Sequence, residues 1–275
     1  MPGPRGLGVK VFNVSGGDGG GGVGGPRLSV PGNEGLGTQD FTFNNAPMLE
    51  LTDISTCLSI MQLREQHFDS PTKLGLATKA RSDGVKQSAP GMLPNTNIIS
   101  MPMFTQSAFR FGDYYGHIGL FPASEAMKTA RATQSVPSDA APTILSDWLV
   151  EFYAKNEAKY DMMIQLGTDP VHHPTEDASI VWDEKTAPWQ TIGTVTFPMQ
   201  GDGEGVGEGG GVMGAERRTF WEEKVRLNPW MGLEAHRPLG SINRLRRIVY
   251  EAAQKQRAKL NANENLFVGS VDDIP

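Results

Sequence analysis

The chain has 275 residues, enough for one large domain or two small ones, and 38% hydrophobic residues to fill a core. A formal net charge of -6 gives it no electrostatic footprint for a phosphate backbone, so nucleic acid is not an expected partner. A lone cysteine, Cys57, excludes an internal disulfide framework, and no run approaches the roughly 18 apolar residues of a membrane span.

In chain order, Leu7 to Val14 alternates apolar and polar residues and predicts a strand with one buried face. Residues 16–25 are nearly all glycine and read as a flexible loop; no lysine and Ser/Thr pair closes them into a phosphate-binding loop. Asp53 is expected to cap a helix through Phe68, with Ile54, Leu58, Met61 and Phe68 at helical spacing and Cys57 on its apolar side. A second helix starts at Pro71. Strands are predicted at Asn97–Phe104 and Asp113–Phe121, a helix at Thr143–Asn156, and further strands at Tyr160–Gly167 and Gln190–Pro198. Residues 201–215 read as a second flexible loop of glycine and glutamate, and a helix runs from Ser241 to about Asn261. Strands in the middle with helices on both sides predict an α+β fold around an antiparallel sheet. The expected organisation is one domain over residues 1–262 and a tail over 263–275.

The stretch from Asn228 to Tyr250 carries the chemistry. Residues 246, 250, 253 and 257 advance by four, three and four, which puts Arg246, Tyr250, Ala253 and Arg257 on one helix face. A phenol titrates near 10 and is a poor iron ligand while neutral, but a guanidinium one turn away favours the phenolate. Arg246 is placed to do this for Tyr250, and the alanine leaves room for a flat group. On spacing alone, an amphipathic surface helix with Arg/Tyr packing explains the same pattern.

Further stretches decide between the two. Asn228-Pro229-Trp230, then His236-Arg237-Pro238-Leu239-Gly240, Asn243-Arg244, and Arg246 to Tyr250 resemble the proximal region of catalase-related haem proteins. Arg5-Gly6-Leu7-Gly8-Val9-Lys10-Val11-Phe12 is similar to that family's Arg-Gly-x-x-x-Lys-x-Phe strand, and Asn44-Asn45-Ala46-Pro47 to its Asn-Asn-x-Pro turn. Phe111-Gly112-Asp113-Tyr114, and Gln165-Leu166 with Glu176-Asp177-Ala178-Ser179, are similar to the small catalase-like branch. The resemblance implies an antiparallel β-barrel of catalase-like type, incomplete in this chain, with flanking helices and a C-terminal helix bearing the haem ligand. It implies haem b as cofactor, Tyr250 as axial iron ligand, Arg246 as its activating partner, Arg257 at a haem propionate, and Asn44 as the distal amide that orients peroxide. The implied substrate is hydrogen peroxide or an organic hydroperoxide. A fatty acid hydroperoxide lyase or allene oxide synthase shares the proximal motif, and a homo-oligomer is also expected.

One departure stands out. The family's distal histidine lies upstream of the Arg-Gly-x-x-x-Lys segment, whereas His67, His117, His172, His173 and His236 all lie downstream of it. An impaired, haem-binding pseudoenzyme is therefore the alternative to a competent enzyme. Met48-Leu49-Glu50 after the Asn-Asn-x-Pro turn also replaces the aromatic residues of true catalases. His172-His173 is expected in a solvated loop, His236 in a hydrogen-bonding structural role, and the five tryptophans in packing. The reduced cysteine and the lack of a signal-peptide core point inside the cell, cytoplasmic or peroxisomal, although the chain does not end in Ser-Lys-Leu.

Overall fold

A computed structural model describes residues 3–14, 25–28, 30–31, 35–200, 214–264 and 266–275. The predicted loops at 16–25 and 201–215 lie almost wholly outside the described residues. Seven strands make one antiparallel sheet: β1 (Gly6–Val11), β2 (Gln39–Asn44), β3 (Met103–Phe104), β4 (Phe109–Phe111), β5 (Tyr114–Pro122), β6 (Ala158–Leu166) and β7 (Trp189–Phe197). Their spatial order is β1-β2-β3-β5-β6-β7, with β4 paired onto β5 through the two-residue turn Gly112-Asp113. Gly112, at φ 61°, supplies the left-handed conformation this turn needs.

Side-chain alternation fixes where the core lies. Phe41 and Phe43 of β2, Met103 of β3, Ile118 and Leu120 of β5, and Tyr160 of β6 share one cluster, and Leu7 and Val9 of β1 pack on it together with Val195 and Phe197 of β7. In a flat sheet β1 and β7 would stand about 24 Å apart, five strand spacings. Edges that meet one core require the sheet to curl. Among the described residues β1 and β7 remain edges, so the sheet is a curled half-barrel. Helices α4 (Glu125–Thr133) and α5 (Ile144–Lys155) cover this core with Met127, Ala130 and Phe152.

Helix α1 (Ile54–Gln66) begins as expected, with the Asp53 carboxylate accepting from the Thr56 amide at 2.8 Å. Its expected apolar face is not a core face: Ile54, Leu58 and Met61 are 39%, 57% and 39% exposed, while Ile60 is buried. The reason is position, since α1 lies beside α2 (Pro71–Lys79) and the C-terminal helix rather than over the barrel core. Helix α3 (Gly84–Ser88) follows. The strand expected at Asn97–Phe104 is shortened to β3. Asn97 caps a 3₁₀ turn instead, its side chain accepting from the Ile99 amide and its carbonyl from the Ser100 hydroxyl.

At the C-terminal end, α6 (Ala215–Thr219) runs into a π-turn at Phe220–Lys224, and α7 spans Gly240–Asn261. Residues 266–275 fold back, burying Val268 against Phe220 and Val225. No helix among the described residues is long and apolar enough to cross a membrane.

Candidate functional site

Helix α7 is delivered to the outside of the half-barrel by a segment that runs along β4. Arg110 donates to the Arg237 carbonyl, Gly112 to Ala235 and Leu239 to Ala108. Gly240 then turns with φ 84°, and a Cβ there would stand 2.0 Å from the Thr175 carbonyl oxygen, so only glycine starts this helix here. Asn243 locks the first turn by donating from Nδ2 to the carbonyls of Ala108 (3.0 Å) and Leu239 (2.9 Å).

The Asn228-Pro229-Trp230 motif braces the same turn. Asn228 accepts from the Trp230 amide at 3.0 Å, and the buried Trp230 donates Nε1–H to the Asn243 carbonyl at 2.7 Å. The Arg247 guanidinium sits 5.2 Å over the Trp230 ring. The Glu176-Asp177-Ala178-Ser179 loop holds the outer side. Glu176 takes a bidentate pair from Arg244 at 2.8 and 2.9 Å, and its carbonyl accepts from Ser241. Ala178 exchanges backbone hydrogen bonds with Leu49 and Thr52, which ties the α7 start to the loop just after the Asn-Asn-x-Pro turn.

The far end of α7 is held by side chains on the Tyr250 face. Gln254 donates to the Leu227 carbonyl and accepts from Arg226, each at 2.9 Å. Arg257 donates to the carbonyls of Glu222 (2.8 Å) and Val225 (2.9 Å). Its terminal nitrogens thus secure the helix to the π-turn, a use that spacing did not foretell. Between the two anchored ends Tyr250 is half-buried and Ala253 exposed.

Arg246 donates to the Asn243 side chain at 3.1 Å. Burial pulls its guanidinium below the usual arginine range, while the nearby Tyr250 phenol works in the opposite sense. Among the described residues no carboxylate forms an ion pair with it. A guanidinium without a carboxylate partner is left to attract other anionic or polar groups, and Tyr250 lies one helical turn on. The residue types are those a tyrosine-ligated haem would use: an oxygen donor, a cation one turn before it, and a small residue one turn on. No group of three His, Cys, Asp or Glu side chains among the described residues could hold a metal ion by itself.

Asn44 ends β2, opposite Gly6 on one side and Phe104 on the other. By alternation it shares the outer sheet face with Asp40, the face on which the Asn228 segment rests. Its Oδ1 accepts from the Ala46 amide at 3.2 Å, which leaves Nδ2 to donate. Asn45 instead turns to structure, accepting from the Arg5 amide at 2.8 Å. Cavities of about 320, 510 and 350 Å³ lie between α4 and α5, beside the C-terminal residues, and between α1 and α2. None of these three is lined by Tyr250, Arg246 or Asn44.

Two histidine readings change. His172 is exposed as expected and pairs with Asp169, but His173 is fully buried, its Nδ1 accepting from the Thr168 and Asp169 amides. The turn reverses the chain and points the second ring inward toward Trp182, 5.2 Å away. His236 stacks on Phe111 at 6.0 Å, and among the described residues its buried Nδ1 has no hydrogen-bond partner. Its imidazole is pulled down by burial, and stacking is its role.

The fold has known counterparts. A fungal catalase matches with a TM-score of 0.59 and 14% identity, covering 86% of this chain and 50% of its own. Catalase A from Saccharomyces cerevisiae matches with a TM-score of 0.56 and 15% identity, over 84% of this chain and 50% of its own. The chain has the catalase-like fold and spans about half the length of these solved structures. No family model matches it, and no curated protein matches it by sequence.

Proposed function

We propose that this chain binds haem b through Tyr250 and acts on hydrogen peroxide or an organic hydroperoxide. The observation that carries the reading is the Arg246 guanidinium, one helical turn before Tyr250, bonded to the Asn243 side chain and with no ion-paired carboxylate among the described residues. Fold likeness to a fungal catalase supports it. Haem, when bound, supplies the redox-active iron that a peroxide oxidises. The chain's own residues hold and orient. Arg246 sits one turn before the ligand oxygen and offers it a positive charge, and Asn243, gripped by two carbonyls, fixes Arg246. Asn44 donates Nδ2–H to a peroxide oxygen and so orients the O–O bond. Arg257 braces the far end of the ligand helix and, with its terminal nitrogens on two carbonyls, is placed in this proposal beside the propionate edge rather than at the iron.

The histidines favour a second reading, haem binding with weak turnover. His117 and His173 are buried against Trp182, His236 lies on Phe111, His172 pairs with Asp169, and His67 caps α1. Four of the five side chains are taken up in packing or pairing and His67 stands at the end of α1, and a positioned general acid-base contributes about 10²- to 10⁴-fold. The test is a haemin titration of the full chain. It should give a ferric tyrosinate spectrum that is lost in Tyr250→Phe, and an unchanged spectrum in that variant removes the ligand assignment. Rates with hydrogen peroxide and a fatty acid hydroperoxide then separate peroxidase, lyase and binding-only behaviour.

A further inference from the structure

We infer that the buried Lys10–Asp40 pair is a positioning element for the Tyr250 helix, an inference that rests on the haem reading above. Lys10 of β1 and Asp40 of β2 stand opposite each other in register, 2.7 Å apart, with side chains 2% and 0% exposed. Such a pair is a poor source of net stability, because desolvation cancels much of the attraction. Burial lifts the Asp40 carboxyl above the usual carboxylate range against the pull of Lys10.

Its purpose lies in the second carboxylate oxygen. Asp40 Oδ2 accepts from the Asn228 amide at 3.0 Å, and Asn228 Oδ1 accepts from the Trp230 amide at 3.0 Å. Trp230 Nε1 donates to the Asn243 carbonyl at 2.7 Å, and Arg246 donates to Asn243 Oδ1 at 3.1 Å. One unbroken polar chain thus runs from the barrel edge to the guanidinium one helical turn before Tyr250. Up to Asn243 its links are backbone groups, short side chains or a rigid indole, all buried, so competition from water is weak and a shift at Asp40 is passed on rather than absorbed. Lysine holds the carboxylate in place so that this oxygen points at Asn228.

Two double variants of the full chain test it. Lys10→Met with Asp40→Leu removes both the charge and the acceptor, whereas Lys10→Met with Asp40→Asn keeps an oxygen for the Asn228 amide. Amide hydrogen exchange in the haem-free protein is the first readout. The leucine variant should exchange tenfold or more faster at residues 243–250 with β5 and β6 unchanged, bind haemin at least tenfold more weakly, and shift the tyrosinate band; the asparagine variant, which keeps an acceptor but loses the lysine that aims it, should fall between wild type and the leucine variant in both readouts. Should the leucine variant not fold, Trp230→Phe, which removes the indole donor to Asn243 along with part of the ring under Arg247, must give the same local loosening. Unchanged exchange at 243–250, or equal loss in both double variants, overturns the inference. If wild-type protein takes up no haemin, the ligand assignment fails while the exchange data still decide whether the pair positions the helix.

Discussion

Replacing His117 by phenylalanine should remove much of the acid sensitivity of this fold. His117 stands on the outer face of β5, buried, with its ring 4.0 Å from the Trp182 indole and nearly parallel to it. Burial, aided by nearby His173, depresses its pKa to about 3. In the unfolded chain the same ring titrates near 6.5. The folded value is the lower one, so the unfolded state takes up the proton first. Stability is full above pH ~6.5 and falls as the pH drops toward the folded value. From these two values the loss is about 2 kcal/mol at pH 5 and about 3 kcal/mol at pH 4. Phenylalanine keeps an aromatic ring on Trp182 but cannot protonate. Urea unfolding of haem-free wild type and His117→Phe at pH 7, 5 and 4 measures the difference, with the carboxylates common to both proteins cancelling. A wild type that loses no more stability than the variant over this range refutes the reasoning.

Arg246→Met should raise the stability of the haem-free protein by about 1 kcal/mol, because it removes a desolvated charge, yet weaken haemin binding tenfold or more; paired denaturation and haemin titration would expose an incidental arginine as neutral in both. Gly240→Ala forces a left-handed φ and a clash with Thr175 together, so it should cost at least about 2 kcal/mol in thermal unfolding, and a neutral result would mean that the α7 start is elsewhere. Asn44→Ala should slow the reaction with peroxide by about tenfold or more at unchanged haem content. Lost haem in stopped-flow samples of that variant would assign Asn44 to structure instead.

Where local chemistry set the structure, the sequence was readable. Alternation located β1, β5, β6 and β7, Asp53 and Pro71 marked the starts of α1 and α2, and the Thr143–Asn156 helix became α5 with those two residues as its caps. Helix α4 escaped notice because Glu125, Lys128, Thr129 and Arg131 dilute its apolar signal to Met127 and Ala130. The inward turn of His173 depends on Trp182, nine positions later, and so carries no periodic signature. For the site, the Arg246–Tyr250 spacing gave one shared face, and the structure adds the Asn243 side chain that holds Arg246. The carbonyl partners of Arg257 lie over thirty residues earlier in a π-turn, a motif with no composition cue.

The motifs that resemble a catalase-related protein share a mechanical purpose. Asn228 and Trp230 grip the first turns of α7 from the barrel side, Glu176 grips them from the outside, and the segment from Ala235 to Leu239 runs along β4 to set the entry angle. Such bracing is more than burial requires, since Ile248, Val249 and Ala253 in the middle of the helix are exposed. A helix that contributes little to the core, held at both ends and open between, is suited to presenting side chains rather than packing them. If the bracing serves Tyr250, loosening any one grip should affect haemin binding more than global stability. Combining two such changes should then cost less than their sum, because both release the same turns.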